Sequence, residues 1–187
     1  MDSTRTSPAE AVEDALRRFF AARRDEAAAI GPACADVVTE LESYVLRGGK
    51  RVRPTFAWLG WLGAGGDPDS DTAQAVIQIG AALELFHAYG LIHDDVIDAS
   101  PTRRGAPAAH VLFARRHRER CWNGDADLFG TGTAILTGDL AQGWADDLLH
   151  DSGLPAPAQD RVAPVWSALR TEVLYGQLLD VTAEACG

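Results

Sequence analysis

A chain of 187 residues with 47% hydrophobic content can bury a respectable core and passes as one domain, 1–187. Seventeen Lys and Arg stand against 27 Asp and Glu, and the resulting net charge of −10 argues against nucleic acid as the main partner. Three cysteines, Cys34, Cys121 and Cys186, are odd in number and lack metal or redox spacing, which suits free thiols in a reducing cytoplasm. The N-terminus is polar and acidic, and charges are expected to break the apolar stretches short of the ~20 residues a membrane span needs. Neither a secretory signal nor a transmembrane segment is expected.

Apolar periodicity and the placement of Gly and Pro predict helices near 8–29, 33–46, 51–63, 72–98, 108–118, 128–150 and 158–185. Strand signals are scarce, so the expected class is all-α. Gly65-Gly66-Asp67-Pro68 and Ser152-Gly153-Leu154-Pro155 are the clearest breaks. The first helix sets Phe19, Phe20 and several alanines opposite Arg and Glu, a face for packing on the body or on a partner subunit.

Between the second and third helices, Arg47-Gly48-Gly49-Lys50-Arg51-Val52-Arg53-Pro54 sets four cations around a glycine pair. Glycines let a backbone turn tightly and approach a ligand, while Lys and Arg offer a point charge and a planar fork to phosphate oxygens. Taken alone, the segment reads better as a basic solvated turn between two helices.

The fourth helix is an apolar run from Ala75 to Ile97 that carries Asp94, Asp95 and Asp98 near its end and is stopped by Ser100-Pro101. Asp94 and Asp98 fall one turn apart, Asp95 fills the gap, and His87 sits two turns earlier on the same stripe. The carboxylates are expected to converge. Like charges one turn apart, facing a helix C-terminal dipole, each carry a penalty of roughly 0.3–1 kcal/mol, so something positive should offset them. Oxygen-only ligands favour a hard cation, and Mg²⁺ binds through one or two carboxylates plus substrate phosphates. A solvated acidic helix end is the equal alternative.

Arg103 and Arg104 follow just past that end. Further on, Arg115, Arg116, Arg118 and Arg120 read as a solvated helix face near the site entrance. His93 and His110 have no partner motif and are taken as structural. In the last helix Glu172, Gly176 and Asp180 share one face by their i, i+4, i+8 spacing, and Gln177 is a further pocket candidate.

The order and spacing of Gly-Gly-Lys-Arg-Val-Arg-Pro, Asp-Asp-Val-Ile-Asp, Arg103-Arg104-Gly105, the Gly130 to Asp139 segment and the Glu172 to Asp180 segment resemble the trans-type isoprenyl diphosphate synthases. That resemblance, to the polyprenyl synthetase family, covers the chain from about Leu41 onward. It implies an isoprenoid synthase helical bundle, a homodimer, and Mg²⁺-dependent joining of an allylic diphosphate to isopentenyl diphosphate. Carried onto this sequence, it implies that Asp94 and Asp98 hold Mg²⁺ on the allylic diphosphate with Asp95 in support, and that Arg103 contacts the same diphosphate. Lys50, Arg53, His87 and Arg104 would grip isopentenyl diphosphate. In the family, bulk just before the first aspartate motif sets product length, and Tyr89 with Gly90 looks most like a geranylgeranyl diphosphate synthase, a farnesyl one being the alternative.

The family's second aspartate-rich motif and its downstream Lys-Thr pair have no counterpart after Asp180. The expectation is therefore the N-terminal half of a synthase, binding isopentenyl diphosphate weakly and turning over slowly or not at all. Three other readings compete. A class I terpene cyclase shares the aspartate-rich helix but has no use for the basic glycine motif, a catalytically silent partner subunit would be expected to lose the aspartates, and a non-enzymatic helical scaffold would bind neither magnesium nor diphosphate.

Overall fold

The computed structural model describes residues 7–187, in which seven helices follow one another with a single short hairpin among them. The helices are α1 (Pro8–Ile30), α2 (Pro32–Leu46), α3 (Val52–Gly63), α4 (Asp71–Ile97), α5 (Ala109–Glu119), α6 (Ala126–His150) and α7 (Ala156–Cys186). Their bounds lie within about two residues of those expected from the sequence. The chain divides into two compact units, the first ending at Ser152 and the second running from Gly153 to Gly187 with α7 as its body.

Local signals account for the helix starts. Ser7 accepts from the Glu10 amide while the Glu10 carboxylate accepts from the Ser7 amide, so two orphan donors of α1 are satisfied reciprocally. Asp125 does the same work for α6, accepting from the amides of Asp127 and Leu128 at 2.8 and 2.9 Å, and those bonds hold its carboxyl below the usual aspartate range. Pro32 occupies the first turn of α2, where no amide is needed.

In the first unit α4 is the central element, packing along α6 and meeting α3 and α1. Ala75, Val76, Ile77, Ala81, Ala82, Leu85, Phe86, Ala88, Tyr89 and Ile92 are all buried, while His87, Asp94 and Asp98 share the less buried side of its C-terminal half. By length and apolar composition α4 could cross a membrane, contrary to the expectation that charges break every such stretch, but 67% of its apolar window is buried inside the fold. It is a core helix. Phe20 and Leu16 of α1, Leu41 of α2 and Phe113 of α5 are among the other fully buried side chains. The predicted packing face of α1 lies on the body, where Phe19 meets the Trp144 ring at 5.5 Å and the Arg23 guanidinium lies over both rings.

Small residues let α6 approach its neighbours. A methyl group on Gly130 would come within 2.3 Å of the His110 carbonyl oxygen and 2.8 Å of the Ala114 side chain, so α5 and α6 meet backbone to backbone there. Gly130→Ala is expected to lower stability by about 1–3 kcal/mol through forced separation of the two helices. Urea unfolding of the two proteins measures it, with Gly132→Ala, where the methyl meets open space, as the control.

The arginine run of α5 is not simply a solvated face. Arg116 pairs with Glu40 and Asp36, and Arg120 bonds Asp36 at 2.7 Å, so two of the four arginines tie α5 to α2. All three cysteines are free thiols. The sequence showed few strand signals, and the strands present are very short: β1 (Thr102–Arg103) pairs antiparallel with β2 (Ala106–Pro107).

Candidate diphosphate-binding site

The C-terminal end of α4 is closed by three backbone bonds. The amide of Asp98 reaches the carbonyl of Asp94, that of Ala99 reaches Val96, and that of Ser100 reaches Asp95 at 2.9 Å, with Ala99 left-handed at φ 50°. This is the Schellman closure. The helix therefore stops at Ile97, before Pro101 acts, and Asp98 sits in its cap.

The three aspartates do not all converge. A helix turns about 100° per residue, so Asp95 points away from Asp94. Asp95 is completely buried, whereas Asp94 is partly exposed and Asp98 is exposed. The Asp95 carboxylate accepts from Nε of Arg103 at 2.7 Å and faces the Tyr44 hydroxyl at 3.5 Å, while Nη2 of Arg103 also bonds Asp94 at 2.7 Å. Arg103 is thus the positive charge that the acidic helix end requires. Its hydrogen bond to Asp95, aided by the neighbouring negative charges, raises the guanidinium pKa. Burial, reinforced by the Asp95 charge, pushes the Tyr44 phenol up.

Among the described residues no group of three or more His, Cys, Asp and Glu is placed to hold a metal. Asp94 and Asp98 still offer hard oxygen donors on the open side of the helix. That donor set fits a Mg²⁺ ion completed by phosphate oxygens and water, and does not fit a closed protein cage.

The hairpin carries the second arginine. Arg104 and Gly105 are its two central residues, with φ of 52° and 75°, the handedness that a two-residue loop needs to match the twist of its strands. This turn sends consecutive arginines to different places. Arg103 goes to the aspartates, while Arg104 bonds the Gly48 carbonyl oxygen at 2.8 Å and reaches Nε2 of His87 at 3.5 Å.

The glycine pair behaves as its motif suggested. Gly48 and Gly49 have φ of 95° and 147°, and the Arg104 guanidinium lies 3.5 Å from where a Gly49 side chain would begin. The cation cluster around them is smaller than four, however. Arg51 is buried, left-handed at φ 46°, and spent on a 2.5 Å bond to buried Glu84 and a 3.0 Å bond to the Val45 carbonyl. Arg47 donates to Ser43 within the last turn of α2. Lys50 and Arg53 remain exposed. Arg53 lies near enough to His87 to act on it through its charge, as Arg104 does. Burial, together with the charges of Arg53, Arg104 and Arg103, holds the His87 imidazole down at about 4.

Tyr89 is buried between the Phe86 and His93 rings, and burial and the nearby Asp139 charge raise its pKa. Gly90 faces open space. His93 is 3.2 Å from the Ile135 carbonyl and 3.4 Å from Asp139, a structural tie between α4 and α6. Gln177 and Asp180 lie on α7, in the second unit. Sequence reasoning passed over Tyr44 and treated Glu84 only as an interruption. A lone Glu inside an apolar helix was the available signal, since a buried carboxylate demands a partner.

Comparison with known proteins identifies the family. A family model described as Polyprenyl synthetase matches residues 35–186. The chain is 33% identical over 143 residues to the short chain isoprenyl diphosphate synthase of Methanothermobacter thermautotrophicus, covering 76% of this chain and 37% of that protein. It is 32% identical over 155 residues to the farnesyl diphosphate synthase of Escherichia coli, covering 79% and 45%. Its fold superposes with a TM-score of 0.89 and 44% identity on a geranylgeranyl pyrophosphate synthase from Corynebacterium glutamicum complexed with isoprenyl diphosphate and magnesium, covering 95% of this chain and 50% of that one. The chain thus spans between about a third and a half of the length of these relatives. With the motifs, the all-helical architecture and the matched span in agreement, the chain belongs to the polyprenyl synthetase family.

Proposed function

We propose that the chain serves a prenyltransferase that joins isopentenyl diphosphate to an allylic diphosphate. The observation carrying this reading is the hairpin, whose adjacent arginines address two separate centres, Arg103 the aspartate end of α4 and Arg104 the basic glycine loop with His87. Two centres suit two diphosphates. A cyclase acting on a single diphosphate has no need of the second.

In this reading Lys50, Arg53, His87 and Arg104 hold the isopentenyl diphosphate by charge alone. Asp94 and Asp98 would hold Mg²⁺ beside Arg103, and the ion when bound would neutralise the departing allylic diphosphate. Arg103 supplies fixed positive charge at the same place, oriented by Asp95, which in turn faces the Tyr44 hydroxyl. As the allylic carbon–oxygen bond breaks, the double bond of isopentenyl diphosphate attacks the resulting cation, and a proton is then lost to the leaving diphosphate. Tyr89 and Gly90 precede the aspartates as the length-setting pair, and a geranylgeranyl product is favoured over farnesyl. Gln177 and Asp180 of α7 are pocket candidates on the same grounds. Assembly as a homodimer belongs to this reading, with the exposed Leu128, Ile135 and Leu136 of α6 as apolar surface for it.

Titration calorimetry tests the division of labour. Isopentenyl diphosphate should bind without metal, and Lys50→Ala or Arg53→Ala should weaken it about tenfold or more, as expected for lost charge-assisted bonds of roughly 1.5–3 kcal/mol. A non-ionisable allylic thiodiphosphate should bind more tightly with Mg²⁺ present, and Asp94→Ala should remove that gain while leaving isopentenyl diphosphate binding largely intact. Equal loss of both ligands in Asp94→Ala would sink the assignment.

A further inference from the structure

A guanidinium has five donors and no acceptor, so the His87 nitrogen that faces Arg104 must present its lone pair. In a hydrogen bond across that 3.5 Å separation Nε2 accepts, which puts the proton of a neutral ring on Nδ1. We propose that His87 takes up one proton when a diphosphate enters the basic pocket, changing from an acceptor of Arg104 into a charged donor to the anion. The proposal rests on the reading that Lys50, Arg53, His87 and Arg104 receive a diphosphate.

The surroundings of the ring support the switch from every side. Tyr44 of α2, Arg51 at the start of α3, Glu84 one turn earlier on α4 and Arg104 of the hairpin line one small cleft with His87. Arg53 of α3 and Arg103 of the hairpin act on it through their charge. Three of these groups cannot respond. Arg51 and Glu84 neutralise each other in a buried pair, and Tyr44, facing Asp95, keeps its proton. What disfavours a charged His87 is therefore partial burial plus the positive charge of Arg53, Arg104 and Arg103.

A diphosphate brings two or more negative charges against those same cations. It cancels the repulsion, engages the Arg104 donors, and offers oxygen acceptors to a ring that can now donate from Nε2. The bound-state pKa must rise from about 4 towards or beyond the ordinary histidine value. Between the free and bound values the complex holds more protons than the separated partners. By linkage, the contribution of His87 to affinity is then largest at low pH and declines as pH rises, by up to about tenfold per unit within that window. The ligand's own deprotonation pushes the other way, so the comparison must be made against a chain lacking the imidazole.

Inorganic pyrophosphate, without metal, serves as the probe on the 187-residue chain. Calorimetry at pH 6.5 in two buffers of different ionisation enthalpy counts protons exchanged on binding. Wild type should take up as much as one proton more per site than His87→Gln, the ligand's own protons cancelling in the difference. Independently, imidazole nitrogen shifts in labelled wild type should show a neutral Nδ1–H ring in the free protein and a doubly protonated ring at saturation, which keeps the test open should the variant fold poorly. Binding with a ring that stays neutral and no excess uptake overturns the proposal alone. Absence of pyrophosphate binding overturns both the pocket reading and the proposal.

Discussion

Glu84→Ala should unfold at much lower urea than wild type, with a loss of about 3–5 kcal/mol, because it leaves the Arg51 guanidinium charged, buried and without its principal partner. Two of the Arg51 nitrogens, Nε and Nη2, already lack a hydrogen bond, and the next carboxylate, Glu13, stands 3.7 Å away on a partly exposed side chain. Glu13 can compensate only in part, from that distance and exposure. The pair joins the start of α3 to the middle of α4 and, through the Val45 carbonyl, to the end of α2, so its loss also frees the loop that holds Gly48, Gly49 and Lys50. A buried ion pair is costly to form as well as to break, and the double change Arg51→Met with Glu84→Leu should recover most of the stability. Linear-extrapolation unfolding of wild type, both single variants and the double variant forms the cycle. A double variant no more stable than Glu84→Ala would show that the pair contributes shape beyond charge balance.

Arg103→Ala carries the second large effect. Asp95 has no exposure at all, and Arg103 provides two of its close contacts, at 2.7 and 2.6 Å, leaving only the Tyr44 hydroxyl at 3.5 Å once the guanidinium is gone. Stranding that carboxylate should lower stability by about 3–5 kcal/mol at neutral pH. The control is Asp94→Ala, which removes the other half of the same arginine's pairing but from a partly exposed position. It should change stability by no more than about 1 kcal/mol. Arg103→Lys should fall between the two, since one ammonium cannot reproduce the fork that bonds Asp94 and Asp95 together. Thermal unfolding of the three variants orders them. Equal losses in Arg103→Ala and Asp94→Ala would mean that Asp95 is held by something other than Arg103.

These contrasts show why the three aspartates, alike on paper, differ in kind. Asp94 and Asp98 face the open side of α4 and suit ligand chemistry, while Asp95 turns inward and anchors an arginine. The basic motif divides in the same way. Lys50 and Arg53 stay available, and Arg51 becomes part of the core.

Most of the fold was legible in the amino-acid sequence. Helix extents follow from local information, namely apolar periodicity, caps at Ser7 and Asp125, and breaks at Gly and Pro, so they could be read one segment at a time. The motifs likewise pointed to two anion-related clusters and to the family. What the sequence could not determine was the assignment of individual charges, because pairing depends on residues far apart in the chain. Arg51 meets Glu84, Tyr44 meets Asp95, and Arg104 meets Gly48 only after α2, α4 and the hairpin have packed. The hairpin itself, two residues per strand with a left-handed arginine at its turn, is too short for any periodicity to announce. The resemblance already assigned neighbouring Arg103 and Arg104 to different diphosphates, and tertiary packing adds the direction of each side chain, Arg103 towards Asp94 and Asp95 and Arg104 towards the Gly48 carbonyl.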